Sequence, residues 1–346
     1  LKFGTNLEDN SVFELDLKTL LKTHTFIQSM TGGGKTSLIL KIVEQVQKER
    51  PDVQMVFLDD QEEFTEIPIQ YPKFKLISKD ATPKIFSIDH AKQIGIQTRR
   101  LGKSVVVNLH DFEEQHDREA FVGEFLRGFS SLGKEVGNPA IIVIDEADVY
   151  IPTKSNRSNI PSRYPIINLT KRARKLNISV ILSTQYLSEV EIRARRECAN
   201  RICGKTTELR DRKIVAELLG EPKVADELFD LKAGNFFVRG EIFKKGVSRI
   251  YVEESNITRK QAGVADDELK KLEQIQTKLT AEEDLFEKAV ENKNDQNLVD
   301  ILQNKIADLE KQLAEQKIKT SHAYNDGFLK SETQWKEKGR FERLLK

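Results

Sequence analysis

Three stretches of this 346-residue chain combine residue types that can act together on the phosphates of a nucleotide. The first is IQSMTGGGKTS, Ile27 to Ser37, in which an apolar run enters a glycine-rich turn and leaves as SLILKIVEQV. Gly32, Gly33 and Gly34 let the backbone wrap phosphate oxygens with its N–H groups, and the helix that follows presents its N-terminus to the same anion. Lys35 would reach the β- and γ-phosphates of ATP, and Thr36 would offer its hydroxyl to Mg2+. Ser29, Thr31 and Ser37 complete the segment expected to surround the nucleotide, with Ser29 standing where the strict pattern has glycine.

The second stretch is IIVIDEADVY, Ile141 to Tyr150, where four apolar residues run into adjacent carboxylates. At a strand terminus Asp145 can hold magnesium through water and Glu146 can polarise an attacking water, which points to hydrolysis rather than to nucleotide binding alone. A helix N-terminal acid favoured by the macrodipole is the structural alternative for Glu146. The third stretch, ILSTQYLSEV (Ile181 to Val190), ends an apolar run in Ser183, Thr184 and Gln185; the Gln185 amide is a candidate for contact with the γ-phosphate or the attacking water.

These motifs need a scaffold that ends several strands at one edge. Thr25 to Gln28, Val53 to Leu58, Val105 to Leu109, Ile141 to Ile144 and Val180 to Ser183 read as strands, with Arg201 to Cys203 and Asn235 to Val238 as additions. Ser37 to Glu49, Asp117 to Leu132 and Ile166 to Leu176 read as helices. Near-continuous apolar strands alternating with helices imply an α/β fold whose largely parallel sheet is covered on both faces.

All nine prolines lie at or before Pro222, and from about Ala262 the chain is rich in Glu, Lys and Gln. That shift predicts a globular body over residues 1–260 and a helical tail over 261–346. Leu272, Ile275 and Leu279, and Leu302, Ile306, Leu309 and Leu313, follow three-and-four spacing, which predicts a coiled coil or a hairpin of long helices, broken around Glu291 to Gln296. Lys+Arg 56 against Asp+Glu 55 leaves a net charge of +1, so a DNA surface would have to be local or built by oligomerisation. Cys198 and Cys203 are the two cysteines, too few for a Cys-based zinc site. Lacking an apolar run of roughly 18 residues and a signal-like start, the sequence predicts a cytoplasmic protein with no membrane contact.

With these residues in place, the chain resembles the HerA/FtsK superfamily of ring-forming P-loop ATPases, and in particular the HerA-like branch. The resemblance runs over about residues 1–252 and rests on the approach VFELDLKTLLKTH (Val12 to His24), the phosphate loop, DDQEEF (Asp59 to Phe64), the acidic motif through Tyr150 and Pro152, and the Thr184-Gln185 pair. Further matches are Ala199 to Ile202, LRDRKIVAELL (Leu209 to Leu219) and LKAGNFFV (Leu231 to Val238), the last resembling the family's final strand. Asp60 and Glu62 replace a proline and a glycine of the family pattern, Asp148 replaces its His, and Tyr186-Leu187 replaces its Arg-Pro; the family's amino-terminal β-barrel is not expected ahead of this core.

The resemblance implies a P-loop NTPase of RecA-like type in which Glu63 joins Lys35, Glu146 and Gln185 at the catalytic site. It also implies an arginine supplied by a neighbouring subunit, first Arg212, with Arg174, Arg201 and Arg210 as alternatives. The implied assembly is a homo-hexamer that couples ATP hydrolysis to translocation or unwinding of double-stranded DNA. Two alternatives are an ATPase engine of a DNA packaging, transfer or anti-phage defence assembly, whose tail recruits an effector or nuclease, and a nucleotide-gated scaffold. Basic clusters at Thr170 to Lys175, Arg193 to Arg196 and Lys244-Lys245 are candidates for DNA contact, which a ring would repeat around its channel.

Overall fold

The computed structural model describes residues 2–133, 138–153, 159–243 and 246–257, together with residues 278, 304–309, 311–312 and 315. The chain divides into two compact units, one of Leu1–Pro68 with Lys73–Ile257 and one of Ile69–Pro72 with Thr258–Lys346. In the second unit residues 304–309 and 311–312 are helical, with Ile306 and Leu309 half-buried among exposed neighbours. Leu272, Ile275, Leu279, Leu302 and Leu313 of the expected seams lie outside the described residues.

Among the described residues the first unit is built on one eleven-stranded sheet. In chain order its strands are β1 (Lys2–Asn6), β2 (Val12–Glu14), β3 (His24–Gln28), β4 (Gln54–Asp59), β5 (Phe74–Ile77), β6 (Ser104–Asn108), β7 (Ala140–Ile144), β8 (Ile178–Thr184), β9 (Cys198–Cys203), β10 (Asn235–Arg239) and β11 (Ser248–Tyr251). Their spatial order is β2-β1-β11-β10-β9-β3-β8-β7-β4-β6-β5. From β9 to β5 every pairing is parallel, and from β9 back to β2 every pairing is antiparallel. This is an α/β sheet of RecA-like type with a mixed, largely parallel order. LKAGNFFV does not end the sheet as expected: β11 follows β10 and carries the pairing on to β1.

Every residue of β3, β4, β6, β7 and β8 is buried. A strand covered on both faces loses the in-out alternation of a half-exposed one and reads as a continuous apolar run. The helix Lys35–Glu49 buries Leu38, Ile39, Ile42, Val43 and Val46, spaced along one face, and stops at Arg50, whose successor Pro51 disfavours helical backbone. The helix Arg163–Arg172 passes into a tighter 3₁₀ turn over Ala173–Leu176, where one continuous helix was expected, and Asn177 ends it at φ 58°.

The start of β3 is fixed by polar contacts, because the strand that delivers the glycine loop begins with His24 and Thr25 and is preceded by Thr23. His24 is fully buried, its Nε2 lies 2.9 Å from Thr170 O, and its Nδ1 accepts from Val180 N at 3.0 Å. That pattern fixes a neutral ring protonated on Nε2. Asn200 Nδ2 donates to Thr23 Oγ1, His24 O and Thr25 Oγ1, tying β9 to the same point.

Burial, reinforced by the charge of Arg174, pushes the His24 imidazole down to about 4 from 6.5. Between those values the unfolded chain takes up a proton that the native protein refuses, so stability present above about pH 6.5 is lost as the pH falls towards 4, by about 3 kcal/mol. We expect a His24→Gln variant to be less stable at pH 7 but to lose less between pH 6.5 and 4.5, measured as urea midpoints. An unchanged acid slope in the variant would show that His24 does not drive it.

Candidate functional site

β8 lies between β3 and β7, and β7 lies between β8 and β4. Gln28 pairs with Thr184, Leu182 with Ile144, and Ile144 with Leu58, so the four strands end at one edge. Ligands of open parallel sheets bind beyond such carboxyl ends. The four loops that leave this edge carry Ser29 to Lys35, Asp59 to Glu63, Asp145-Glu146 and Gln185.

The glycine loop has the shape its sequence predicts. Gly32 and Gly34 stand at φ 76° and 100°, a region where side chains are strained. Nothing lies within 4 Å of where a Gly32 Cβ would project, which leaves the outer side of the turn open. Lys35 begins a 15-residue helix whose N-terminal dipole faces the same opening. Ser29 points the other way. It is fully buried, and its Oγ would lie 2.0 Å from a Cβ on Gly33 and 2.5 Å from one on Gly204. The serine that departs from the strict pattern thus fills a space left by two glycines behind the loop. Gly234, the turn glycine of LKAGNFFV, donates its N–H to Gly33 O at 3.1 Å and completes the support.

The Lys35 ammonium lies 3.0 Å from Asp145 Oδ1 and 2.9 Å from Glu146 Oε1, and the residue is 7% exposed. Burial works against its charge, but the two carboxylates outweigh that and hold it above its ordinary value. Glu146 reaches the lysine from a left-handed backbone, φ 46° and ψ 52°, immediately after β7. Such a conformation costs a non-glycine residue about 1–3 kcal/mol and persists where surrounding contacts over-determine it. Gln185 Nε2 donates to Glu146 Oε1 at 2.8 Å, and Thr31 Oγ1 donates to Gln185 Oε1 at 2.6 Å. Thr36 Oγ1 donates to Glu63 Oε2.

Asp59 folds the Glu63 loop back by accepting from Glu63 N at 3.1 Å and Phe64 N at 2.8 Å. Burial, with repulsion from Asp145, raises its carboxyl to about 7, and burial likewise raises Glu63. Glu62, in the family's glycine position, adopts φ 58°, and its Oε1 accepts from Asn108 Nδ2 at 2.9 Å. Asp60, in the proline position, accepts from Tyr150 OH and from Arg118 Nη1. Thr184 Oγ1 donates to Asp148, whose carboxyl burial raises to about 6.

A cation fits this arrangement. Asp145 Oδ2 is buried with no hydrogen-bond partner, and Asp145 and Glu146 share one ammonium. Among the described residues no group of three or more His, Cys, Asp or Glu side chains is arranged to hold an ion. Magnesium takes one or two carboxylates and completes its shell with water and substrate phosphates.

Of the residues expected from sequence, the structure brings together Ser29, Thr31, Gly32, Gly33, Gly34, Lys35, Thr36, Ser37, Glu63, Asp145, Glu146 and Gln185. The arginines are placed elsewhere. Arg212 donates to Ala225 O at 3.1 Å and its guanidinium lies 5.4 Å from the centre of the Phe229 ring; Arg210 and Arg174 are exposed, and Arg201 donates to Ala199 O at 3.4 Å. Sequence reasoning missed Gly204 and Gln28. Gln28 is a fully buried amide that accepts from Thr206 Oγ1 at 3.0 Å and donates to Gln185 O at 3.3 Å. A polar residue at the last position of an otherwise apolar run was its signal.

The fold and site define a P-loop ATP hydrolase. The family model described as "Helicase HerA, central domain" matches residues 1–322, and the chain belongs to that family, within the HerA/FtsK superfamily. Among solved structures it is similar to VirB4 of Thermoanaerobacter pseudethanolicus, at 12% identity and a TM-score of 0.56 over 73% of this chain and 96% of that one. It also matches the genome packaging NTPase B204 from Sulfolobus turreted icosahedral virus 2 in complex with ATP-gammaS, at 16% identity and a TM-score of 0.46, over 67% and 97%. A further match is the cytoplasmic domain of the Thermomonospora curvata Type VII secretion ATPase EccC, at 17% and 0.47, over 76% and 29%. The VirB4 likeness speaks for the fold. No curated protein matches the sequence, and among the described residues no helix is long and apolar enough to cross a membrane.

The packing behind the loop yields a test. Gly33→Ala should clash with Ser29 Oγ, lowering stability by about 1–3 kcal/mol and weakening nucleotide binding, and adding Ser29→Gly should recover part of both, since the remaining neighbour is Met30 O at 3.1 Å. Melting curves and fluorescent-nucleotide titrations of the three variants read this out. No recovery in the double variant would place the obstruction elsewhere.

Proposed function

We propose that this chain hydrolyses ATP as the engine of an oligomeric, DNA-associated assembly. The observation that carries the reading is the Lys35 ammonium set between Asp145 and Glu146 at the mouth of the glycine loop, with Asp145 Oδ2 left unpartnered. The loop from Ser29 to Ser37 would hold the phosphates through its backbone N–H groups, with Lys35 turning its charge towards the β- and γ-oxygens. Thr36 and Asp145 would hold magnesium, which when bound offsets charge on the phosphate oxygens. Glu63 keeps the Thr36 hydroxyl in place and adds a second carboxylate near the cation.

Glu146 is the group that draws the proton from the attacking water, and Gln185 orients that water or the γ-phosphate. None of the four candidate arginines reaches this site within its own protomer, and a guanidinium at the γ-phosphate would stabilise the charge developed in transfer. Arg212 remains the first candidate to supply it to a neighbouring subunit. Arg212 is half-buried and its guanidinium lies over the ring of Phe229, itself 47% exposed, so the pair reaches the protomer surface. Exposed Lys171, Arg172, Arg174, Lys175, Arg193 and Arg196 are the candidates for duplex contact; Lys244-Lys245 lie outside the described residues. A protomer of net charge +1 becomes electropositive along a channel only by repeating such clusters, which is why the reading requires a ring, a hexamer by the family resemblance. Strong stimulation of ATP turnover by long duplex DNA alone marks an autonomous translocase, whereas stimulation that needs a partner protein marks the engine of a larger machine.

Two expectations test the roles. Lys35→Ala should remove most nucleotide binding, while Glu146→Gln should preserve binding and lose hydrolysis, with bound nucleotide and turnover measured separately. Normal turnover in the Glu146 variant would reject it as the catalytic carboxylate.

Arg212→Ala should preserve the melt and lower turnover by about 10² or more. Mixing Arg212→Ala with Glu146→Gln protomers should restore activity at interfaces that join an intact arginine to an intact glutamate. Full turnover in Arg212→Ala would reject it and turn the test to Arg210, Arg174 and Arg201.

A further inference from the structure

Resting on the reading of Glu146 and Gln185 just given, we infer that Thr31 is a positioning residue that sets which end of the Gln185 amide faces the catalytic carboxylate. A glutamine amide has two ends of nearly equal shape, one accepting and one donating, and its terminal torsion is broad and roughly two-fold. Left to itself, Gln185 can present either end to Glu146. Presenting its oxygen would set Oε1 against a carboxylate, and presenting nitrogen gives the charge-assisted bond seen at 2.8 Å.

Thr31 settles the choice from the other side. Its hydroxyl donates to Gln185 Oε1 at 2.6 Å, which holds the acceptor end on the glycine loop and leaves Nε2 for Glu146. The backbone is held too, since Gln28 Nε2 donates to Gln185 O at 3.3 Å from the neighbouring strand. A run of contacts thus passes from Thr31 through Gln185 and Glu146 to Lys35, beginning and ending on the two flanks of one phosphate loop.

The position suits a reporter of that loop's shape. Thr31 directly precedes Gly32, the residue at φ 76° with open space around it, so a change in the turn moves the hydroxyl that Gln185 depends on. Because Thr31 acts through Gln185, its loss should cost turnover rather than nucleotide affinity.

Thr31→Val keeps the branched shape and removes the donor, and Thr31→Ser keeps the donor. We expect kcat to fall about tenfold in Thr31→Val with KM for ATP changed less than twofold, and to return to within about twofold of the parent in Thr31→Ser; tenfold corresponds to about 1.4 kcal/mol, the scale of one lost hydrogen bond. In a Gln185→Ala background Thr31→Val should lower kcat no further. A second measurement does not depend on turnover: in the nucleotide-free protein the Thr31→Val, Gln185→Ala double variant should melt no lower than Gln185→Ala alone.

Reduced turnover in Gln185→Ala with parental kcat in Thr31→Val overturns this inference and leaves the site reading standing. Equal losses in Thr31→Ser and Thr31→Val, or additive melts, also overturn it. Parental turnover in Gln185→Ala overturns the assignment of Gln185, and this inference with it.

Discussion

One buried ammonium holds the site together. Lys35 comes from the helix after β3, while Asp145 and Glu146 come from the end of β7, and between those strands lies β8. Without the lysine, two adjacent carboxylates would lie buried with no cation between them, an arrangement costing several kcal/mol per uncompensated charge. Without the carboxylates, a buried ammonium would be equally costly. Neither half is stable as placed without the other, so the contact fixes the distance between the two strand ends. The left-handed backbone of Glu146 is an expected companion of such a contact, because ordinary extended backbone would continue the strand instead of turning the next side chain across β8.

That arrangement also explains how much was legible in the sequence. β4, β6, β7 and β8 were readable because burial on both faces leaves unbroken apolar runs, and the residues with chemistry stand where those runs stop. β1, β2, β5 and β11 were not, since they are short and mix buried positions with partly or fully exposed ones, which leaves no unbroken apolar run. The helix Ile88–Leu101 was missed for a different reason: its buried set includes Gly95, Thr98 and Arg99, which no apolar pattern would nominate. Arg99 is 1% exposed because Asn138 O, Leu176 O and Gln54 Oε1 accept its protons, and two of those acceptors are backbone groups from distant loops.

The candidate residues were legible by type and order, but their pairings were not. Nothing in TGGGKT or STQY reveals that Thr31 faces Gln185, or that Asp148, the residue in place of a family histidine, takes the Thr184 hydroxyl. The departures from the family pattern acquire reasons only in three dimensions. Ser29 is accommodated because Gly204 and Gly33 leave room for it, Glu62 takes the left-handed backbone its glycine counterpart would favour, and Asp60 has Tyr150 and Arg118 to answer its charge. A substitution that looks like erosion of a motif is in each case matched by a compensating neighbour elsewhere in the chain.

The same compensation ties the phosphate loop to the segment that leads into the helix Leu209–Leu219. Gly204 N donates to Gln28 O at 2.7 Å, Met30 N donates to Lys205 O at 2.9 Å, and Thr206 Oγ1 donates to Gln28 Oε1 at 3.0 Å. Ser29 packs against Gly204 at a distance that leaves no slack for a Cβ there. Close-packed interiors transmit displacement rather than absorb it. A change in the loop that shifts Ser29 or Met30 therefore has to move residues 204–206, and with them the start of the helix that carries Arg210 and Arg212. The trans arginine proposed above would need such a link, because its usefulness to a neighbouring site would depend on its own protomer having the right shape. Here three hydrogen bonds and one glycine contact join residues 28–30 to residues 204–206.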